Sequence, residues 1–430
     1  MNSHLVVISV DALVFEDVAD LAELPNIAQF FRCGSVVKSV TTVYPSLTHT
    51  VHASMITGNP PAVTNVPSNT HFLAPGSETI WYNKLGELGC PSLFHLTKKH
   101  GLSSAACRWP LTAGGFEYID YLIPEVSREE VAKTDMETLL KRVSTPLLWE
   151  AVIKGNLPLL RGKEQPYEDQ FSITCACEIL KRYKPNLLIT HPCLVDTARH
   201  HHGLFNVEVT KAVQRADSFI GELLSSASEA GILDNTNFVV TSDHGHLPVD
   251  RDIALNVIFV RHGLIRLGKD GRVTSWKARS HACGLSAHIY LYDRADAALK
   301  AEVASLLSSL IQNPDSGISD FFTLGEVQDL YQLSGDFSFV VETDGHSQFN
   351  DSYSGPVVRP LLVDDHHGSS SHGHLPYKGV QPLLLGMGPG FKQGVVLEQT
   401  SILNEGPTFA ALLGLAFPNA QGRVLQELLI

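Results

Sequence analysis

NFVVTSDHGH, residues 237–246, reads as a buried strand that runs straight into a polar knot, with Thr241, Ser242, Asp243, His244 and His246 packed into six positions. A buried charge is costly unless pairing, hydrogen bonds or a metal ion offsets it, so something must face Asp243 and His244. In a parallel α/β sheet, ligands gather just beyond the carboxyl ends of the strands. The knot falls at such an end, which makes the rest of the sheet the first thing to look for.

Short apolar runs alternate with helical stretches along the chain. Strands are predicted at Leu5–Val10, Val36–Val43, Ser103–Ala106, Asn186–Thr190, Asn237–Thr241 and Pro382–Leu385. Between the fourth and fifth of these, residues 207–224 place Val209, Val213, Ala216, Ile220 and Leu223 at spacings of three and four, the apolar face of a helix lying on a sheet. The alternation predicts an α/β fold with a mostly parallel sheet covered on both sides. From residue 247 to 363 the texture changes to mixed strands such as 287–292, an amphipathic helix at about 297–311 and the turn-rich ETDGHSQFNDSYSGP, residues 342–356. This stretch is expected to be an inserted cap on a core made of residues 1–246 and 364–430. A smaller insertion is expected at 124–167.

Composition narrows the class. The chain has 430 residues, 44% hydrophobic and 18% charged, enough to bury a large core. A net charge of −13 without a basic cluster argues against a nucleic-acid polymer or an anionic membrane as partner. No apolar run reaches the roughly 18 to 20 residues of a membrane span. Seven cysteines with no CxxC pair fit reduced thiols, and the opening MNSHLVVISVDAL reads as a first strand rather than a signal peptide, so a cytoplasmic location is expected. Cys175 and Cys177 read as core thiols on a helix. GMGPG, residues 386–390, reads as a glycine-rich turn without the Lys-Ser/Thr of a P-loop.

The polar residues at the predicted strand ends form a set. Asp11 follows LVVISV; Asp196 follows LLITHPCLV, with His200 four residues on; Asp243 and His244 end the strand quoted above; and DDHHGSSSHGHLP, residues 364–376, adds His366, His367, His372 and His374. Any one aspartate is more often a helix cap or turn residue. Converging on one rim, three carboxylates repel unless cations lie between them, and carboxylate with imidazole suits Zn²⁺ or Mn²⁺. In His200-His201-His202 neighbouring rings diverge, so one or two at most can reach a shared ion. YPSLTHTVHASMITG, residues 44–58, enters a helix with hydroxyls that a metal could activate as nucleophiles. It also reads equally as an ordinary capped helix entry.

The set ISVDA, YPSLTHTVHASMITGNPP, VDTARHHHG, TSDHGH and SHGHLP, in that order and spacing, resembles the alkaline phosphatase superfamily, most closely its nucleotide pyrophosphatase/phosphodiesterase branch (type I phosphodiesterase). The likeness extends to the closing segment GPTFAALLGLAFPNAQGRVLQELL. It implies a three-layer α/β/α core and two divalent metal ions, with zinc the expected metal and manganese compatible. One ion would be held by Asp11, Thr48, Asp243 and His244, the other by Asp196, His200 and His372. Thr48, ten residues before Gly58, would be the nucleophile, attacking a small phosphate ester to form a phospho-threonine. The branch's Asn three residues after the nucleophile, a phosphoryl contact, is Val51 here, leaving the His49 amide as the expected donor. Its P-x-x-H-G reads Pro61-Ala-Val-Thr64-Asn65. Arg199 is expected either to meet a substrate anion or to form a surface salt bridge, and Arg108 is open in the same way. The expected activity is that of a phosphodiesterase, with a phosphomonoesterase or phosphonate hydrolase as the alternative; outside enzymes, the alternative is a binding protein whose metals serve only folding.

Overall fold

In the computed structural model, which describes residues 4–18, 20–361 and 369–430, eight strands form the central sheet. They are β1 (His4–Ser9), β2 (Gly34–Thr41), β3 (Ser104–Cys107), β4 (Tyr121–Ile123), β5 (Leu187–Thr190), β6 (Thr236–Thr241), β7 (Leu384–Met387) and β8 (Val395–Ser401). Their order is β8-β2-β7-β6-β1-β5-β3-β4, and only the two pairings made by β7 are antiparallel. The helices that matter for the site are α1 (Thr48–Thr57), α2 (Tyr167–Tyr183), α3 (Leu194–His202), α4 (Val207–Glu229) and α5 (Glu405–Leu412).

Alternation along the strands produces the layers, because successive side chains leave opposite faces. Val6 and Ile8 of β1 pack with Phe171 and Cys175 of α2 and with Phe219 and Ile220 of α4. Leu5 and Val7 of the same strand pack with Val51 and Met55 of α1 and Phe409 of α5. The result is an α/β/α sandwich with a mostly parallel sheet. Strand positions differ from the expected ones by no more than two residues at most ends, but two edge strands, β4 and β8, are additional. Gly386 lies inside β7 instead of in a turn; a Cβ there would come within 2.1 Å of the Phe391 ring.

Residues 278–343 build a second, four-stranded antiparallel sheet in the order Ala278–Cys283, Ser286–Leu291, Phe339–Thr343, Ile318–Thr323. Helices Leu255–Arg261 and Ala297–Ile311 pack on it through Ile258, Phe259, Val303 and Leu307. This cap joins the core through Tyr44, Tyr290, Phe337, Val340 and Leu375. Buried Glu342 ties the pieces together, accepting from the Tyr44 hydroxyl at 2.9 Å and the Leu375 amide at 3.1 Å and pairing with Lys378 at 2.9 Å. The expected core–cap junction at 363/364, with His366 and His367, lies outside the described residues. The stretch from 124 to 167 holds the short helices Arg128–Val131 and Met136–Val143 and a continuous helical run from Trp149–Ile153 through Leu157–Leu159 before the chain enters α2.

Candidate metal centre and active site

Asp11 follows β1, Asp243 and His244 follow β6, and Thr48 opens α1, so three segments far apart in sequence meet above the carboxyl ends of the strands. His244 Nε2 lies 3.3 Å from Thr48 Oγ1, 3.3 Å from Asp243 Oδ2 and 3.5 Å from Asp11 Oδ1. A second cluster centres on Asp196 in α3. Its Oδ1 lies 3.3 Å from His200 Nε2, 2.8 Å from His246 Nε2 and 4.0 Å from His372 Nε2. The His244 and His372 rings stack at 3.7 Å, joining the clusters. All seven expected residues are therefore brought together in two adjacent groups.

The chain fixes how each ring points. His200 Nδ1 donates to the Ser370 carbonyl at 2.9 Å and His372 Nδ1 to the Ser46 carbonyl at 2.9 Å, leaving each Nε2 to face the cluster. Such outer hydrogen bonds set the tautomer and orientation of metal-binding imidazoles. His372 is held from the cap side as well. The Leu285 amide donates to the His372 carbonyl at 2.9 Å, and a Cβ on Gly284 would lie 2.0 Å from that oxygen. Gly373 approaches the Cys283 carbonyl just as closely, at 2.0 Å, so only glycine fits either side of this contact. His374 turns away, bonding the Leu375 carbonyl at 2.8 Å.

Electrostatics and hydrogen bonding test whether divalent ions suit this pocket. Burial, with Asp196 nearby, raises the Asp11 carboxyl well above its ordinary range; burial, with Asp11 nearby, does the same to Asp243. Burial also works to raise Asp196, but the His200 and His246 rings beside it together outweigh that effect and hold the carboxyl well below its usual value. Burial keeps His244 neutral and lowers His372 to about 4, leaving nitrogen lone pairs available. Asp11 Oδ1, Asp243 Oδ2 and His191 Nε2 are buried and accept or donate no hydrogen bond among the described residues. Orphaned acceptors of this kind are costly unless a cation faces them. The donor set therefore fits divalent metal ions.

Several site residues carry no motif in the sequence. His191 lies 3.3 Å from Asp11 Oδ2 and bonds the Ser9 carbonyl at 2.9 Å. His52 serves as support: its Nδ1 donates to the Thr48 carbonyl at 2.7 Å, and its Nε2 lies 2.9 Å from Ser9 Oγ. Asn69 lines the cleft beside Thr48 and His49. The signal for His246 was present in TSDHGH, but its target, Asp196, lies fifty residues earlier.

Two expectations need correction, and a third gains its reason. Val51, expected to lack the phosphoryl contact, is fully buried on the face of α1 that packs against the sheet. The His49 amide is not free, because it donates to Asn69 Oδ1 at 2.9 Å. Arg199 reaches neither the cleft nor solvent: it is fully buried, donates to the Ala12 carbonyl at 3.1 Å and pairs with Asp17. Arg108 does line the cleft, yet it is held by Asp169 at 2.9 Å and Glu168 at 3.2 Å.

The cleft above both clusters has a volume of about 1020 Å³. Core residues Thr48, Asn69 and Trp81 form part of its wall, and the cap contributes Gly284, Gln348 and Phe349. Comparison with known proteins bears on what it holds. The family described as type I phosphodiesterase / nucleotide pyrophosphatase matches residues 5–369. Human ectonucleotide pyrophosphatase/phosphodiesterase family member 1 is 24% identical over 233 residues, 52% of this chain and 21% of that protein. Venom phosphodiesterase 2 of Crotalus adamanteus is 24% identical over 229 residues, 52% of this chain and 24% of its own. The chain thus spans about a quarter or less of the length of these curated relatives. Among solved structures, mouse ectonucleotide pyrophosphatase/phosphodiesterase 5 superposes with a TM-score of 0.67 at 18% identity, covering all of both chains. Its inactive form in complex with AMP gives 0.66 at 16%, again covering all of both chains. At these identities the likeness is one of fold.

Proposed function

Because the chain belongs to the type I phosphodiesterase / nucleotide pyrophosphatase family, we propose that it is a metal-dependent hydrolase of small phosphate esters, with phosphodiesters as the preferred class. The observation that carries this reading is Thr48 Oγ1 lying 3.3 Å from His244 Nε2, at the edge of a buried carboxylate–imidazole cluster and open to a cleft. Asp11, Thr48, Asp243 and His244 would hold one ion; Asp196, His200 and His372 would hold the other. Zinc is the proposed metal for both. When bound, a pair of such ions lowers the pKa of coordinated hydroxyls and stabilises charge on the oxygens around phosphorus.

The chain's own groups account for the remaining work. Thr48, fixed at the first turn of α1 with its oxygen facing the cleft, would bond to phosphorus as the bond to the ester's leaving oxygen breaks, its hydroxyl proton ending on the released alcohol; water would then hydrolyse the phospho-threonine, releasing the phosphate product and restoring the threonine hydroxyl. Asn69 holds the α1 entry by its side-chain oxygen, and its NH₂ group, without a partner among the described residues, would donate to a phosphoryl oxygen. That amide takes over the role for which position 51 is unsuited. Trp81 and Phe349, in the cleft wall, would receive an aromatic leaving group such as a nucleobase. Support for that choice is the AMP bound by the structurally similar mouse protein. Seven free cysteines support a reducing compartment.

The test is Thr48→Ala in the metal-loaded chain, assayed on a panel of aryl and nucleotide phosphodiesters, monoesters, phosphonates and sulfates. Hydrolysis should fall by at least about a thousandfold with metal content unchanged. A wild-type chain that holds its metals and cleaves nothing in the panel would overturn the enzymatic reading in favour of a binding protein.

A further inference from the structure

His246 is 1% exposed and its Nε2 lies 2.8 Å from Asp196 Oδ1, nearer than either His200 or His372. Its protonation follows from its other nitrogen. His246 Nδ1 is 2.9 Å from Ser370 Oγ, and that hydroxyl donates its only proton to the Arg199 carbonyl at 2.7 Å. Ser370 Oγ must therefore accept, and His246 Nδ1 must carry the hydrogen. In the neutral ring, Nε2 is then a lone pair directed at a carboxylate oxygen.

His200 and His372 repeat this arrangement, each with Nδ1 on a carbonyl and Nε2 toward the same Asp196 oxygen. One carboxylate oxygen has two lone pairs and cannot accept from three imidazole donors. Protonating all three rings would also crowd three positive charges into a buried site. A divalent cation satisfies all three lone pairs and the carboxylate at once. We infer that His246 is a third imidazole ligand to the ion held by Asp196, His200 and His372. This rests on the metal-dependent reading above and extends it.

Local backbone explains how one short segment serves both clusters. Gly245 separates His244 from His246, and a Cβ there would lie 2.1 Å from the Val380 carbonyl. The close passage turns His244 toward Asp11 and Asp243 while His246 turns toward Asp196. The two positions consequently differ in donor chemistry. One offers two carboxylates, a hydroxyl and one imidazole; the other offers one carboxylate and three imidazoles. Nitrogen-rich sets favour zinc over manganese, so the position beside Asp196 should discriminate more strongly between these metals than the other.

The full chain, labelled with ¹⁵N-histidine and loaded with ¹¹³Cd, reads the ligand count directly. Two cadmium resonances are expected, one split by a single imidazole nitrogen and one by three. His246→Met should remove one coupling from the second resonance only and weaken retention of that ion against a chelator by at least about tenfold. Resonances split by one and two nitrogens in the wild type would overturn the role of His246 while leaving a two-ion site. Failure to bind two equivalents of cadmium would overturn both. Because the coupling pattern is read on the wild type, the result stands even if the variant folds poorly.

Discussion

Asn69 shows how a site residue can be invisible as a motif and evident in space. It lies in an irregular stretch after α1, yet it holds the amide next to Thr48 and lines the same cleft. Asn69→Ala should lower kcat by about 10²- to 10³-fold, the usual effect of removing one donor to a developing phosphoryl or carbonyl oxyanion, with KM changed far less. Steady-state kinetics on a diester would check this; an unchanged kcat would remove Asn69 from the reaction. Asp11, Asp196, Asp243 and His244 were legible because each ends a strand or opens a helix at a sheet rim, a place where chemistry-bearing side chains stand out from apolar runs. That Val51 offers no polar contact was legible; that its position faces the sheet was not, because the sequence does not reveal which side of a buried helix does so, and α1 is buried along almost its whole length.

At the level of elements, the six inner strands were legible and the two edges were not. β4 has only three residues, and β8, VVLEQTS, gives way to polar residues after three apolar ones and has no fully buried position, so neither carries the longer apolar run that marks a buried strand. Behind β6 lies a carboxyl group that the sequence gives no reason to notice. Glu405 opens α5, is fully buried and accepts from Thr241 Oγ1 at 2.8 Å, while its other oxygen has no hydrogen bond. Burial raises its pKa well above the ordinary 4.5, and the Thr241 hydroxyl only partly opposes this. An acid with a raised folded-state pKa costs stability increasingly as pH climbs above its unfolded value. Glu405→Gln should therefore stabilise the chain, its advantage over wild type growing by about 1.4 kcal/mol per pH unit above 4.5 until the folded-state pKa is passed. Urea unfolding at pH 5, 6 and 7 would measure it; a constant difference across that range would disprove it.

For the molecule as a whole, the core and cap keep separate apolar centres, and the cleft runs between them. Removing the metals leaves several buried carboxylate oxygens uncompensated, so the stripped chain should melt several degrees lower and recover on adding zinc. Differential scanning calorimetry before and after chelation tests this, and identical melting curves would show that the ions contribute nothing to folding. The change of sequence texture after residue 247 is what suggested a cap. Its contribution to the cleft through Gly284 and Gln348 was not, since nothing local marks a loop that will reach across a rim.

The hairpin tip at Gly284 and Leu285 grips the backbone of His372, a side chain that also faces the Asp196 cluster. One contact thus belongs to two equilibria, the seating of the cap and the retention of an ion. Whatever factor by which seating tightens the hold on that ion, the ion must favour seating by the same factor. An empty site would leave the roof less firmly latched, so a chain deprived of that ion would loosen the wall of its substrate chamber along with its catalyst.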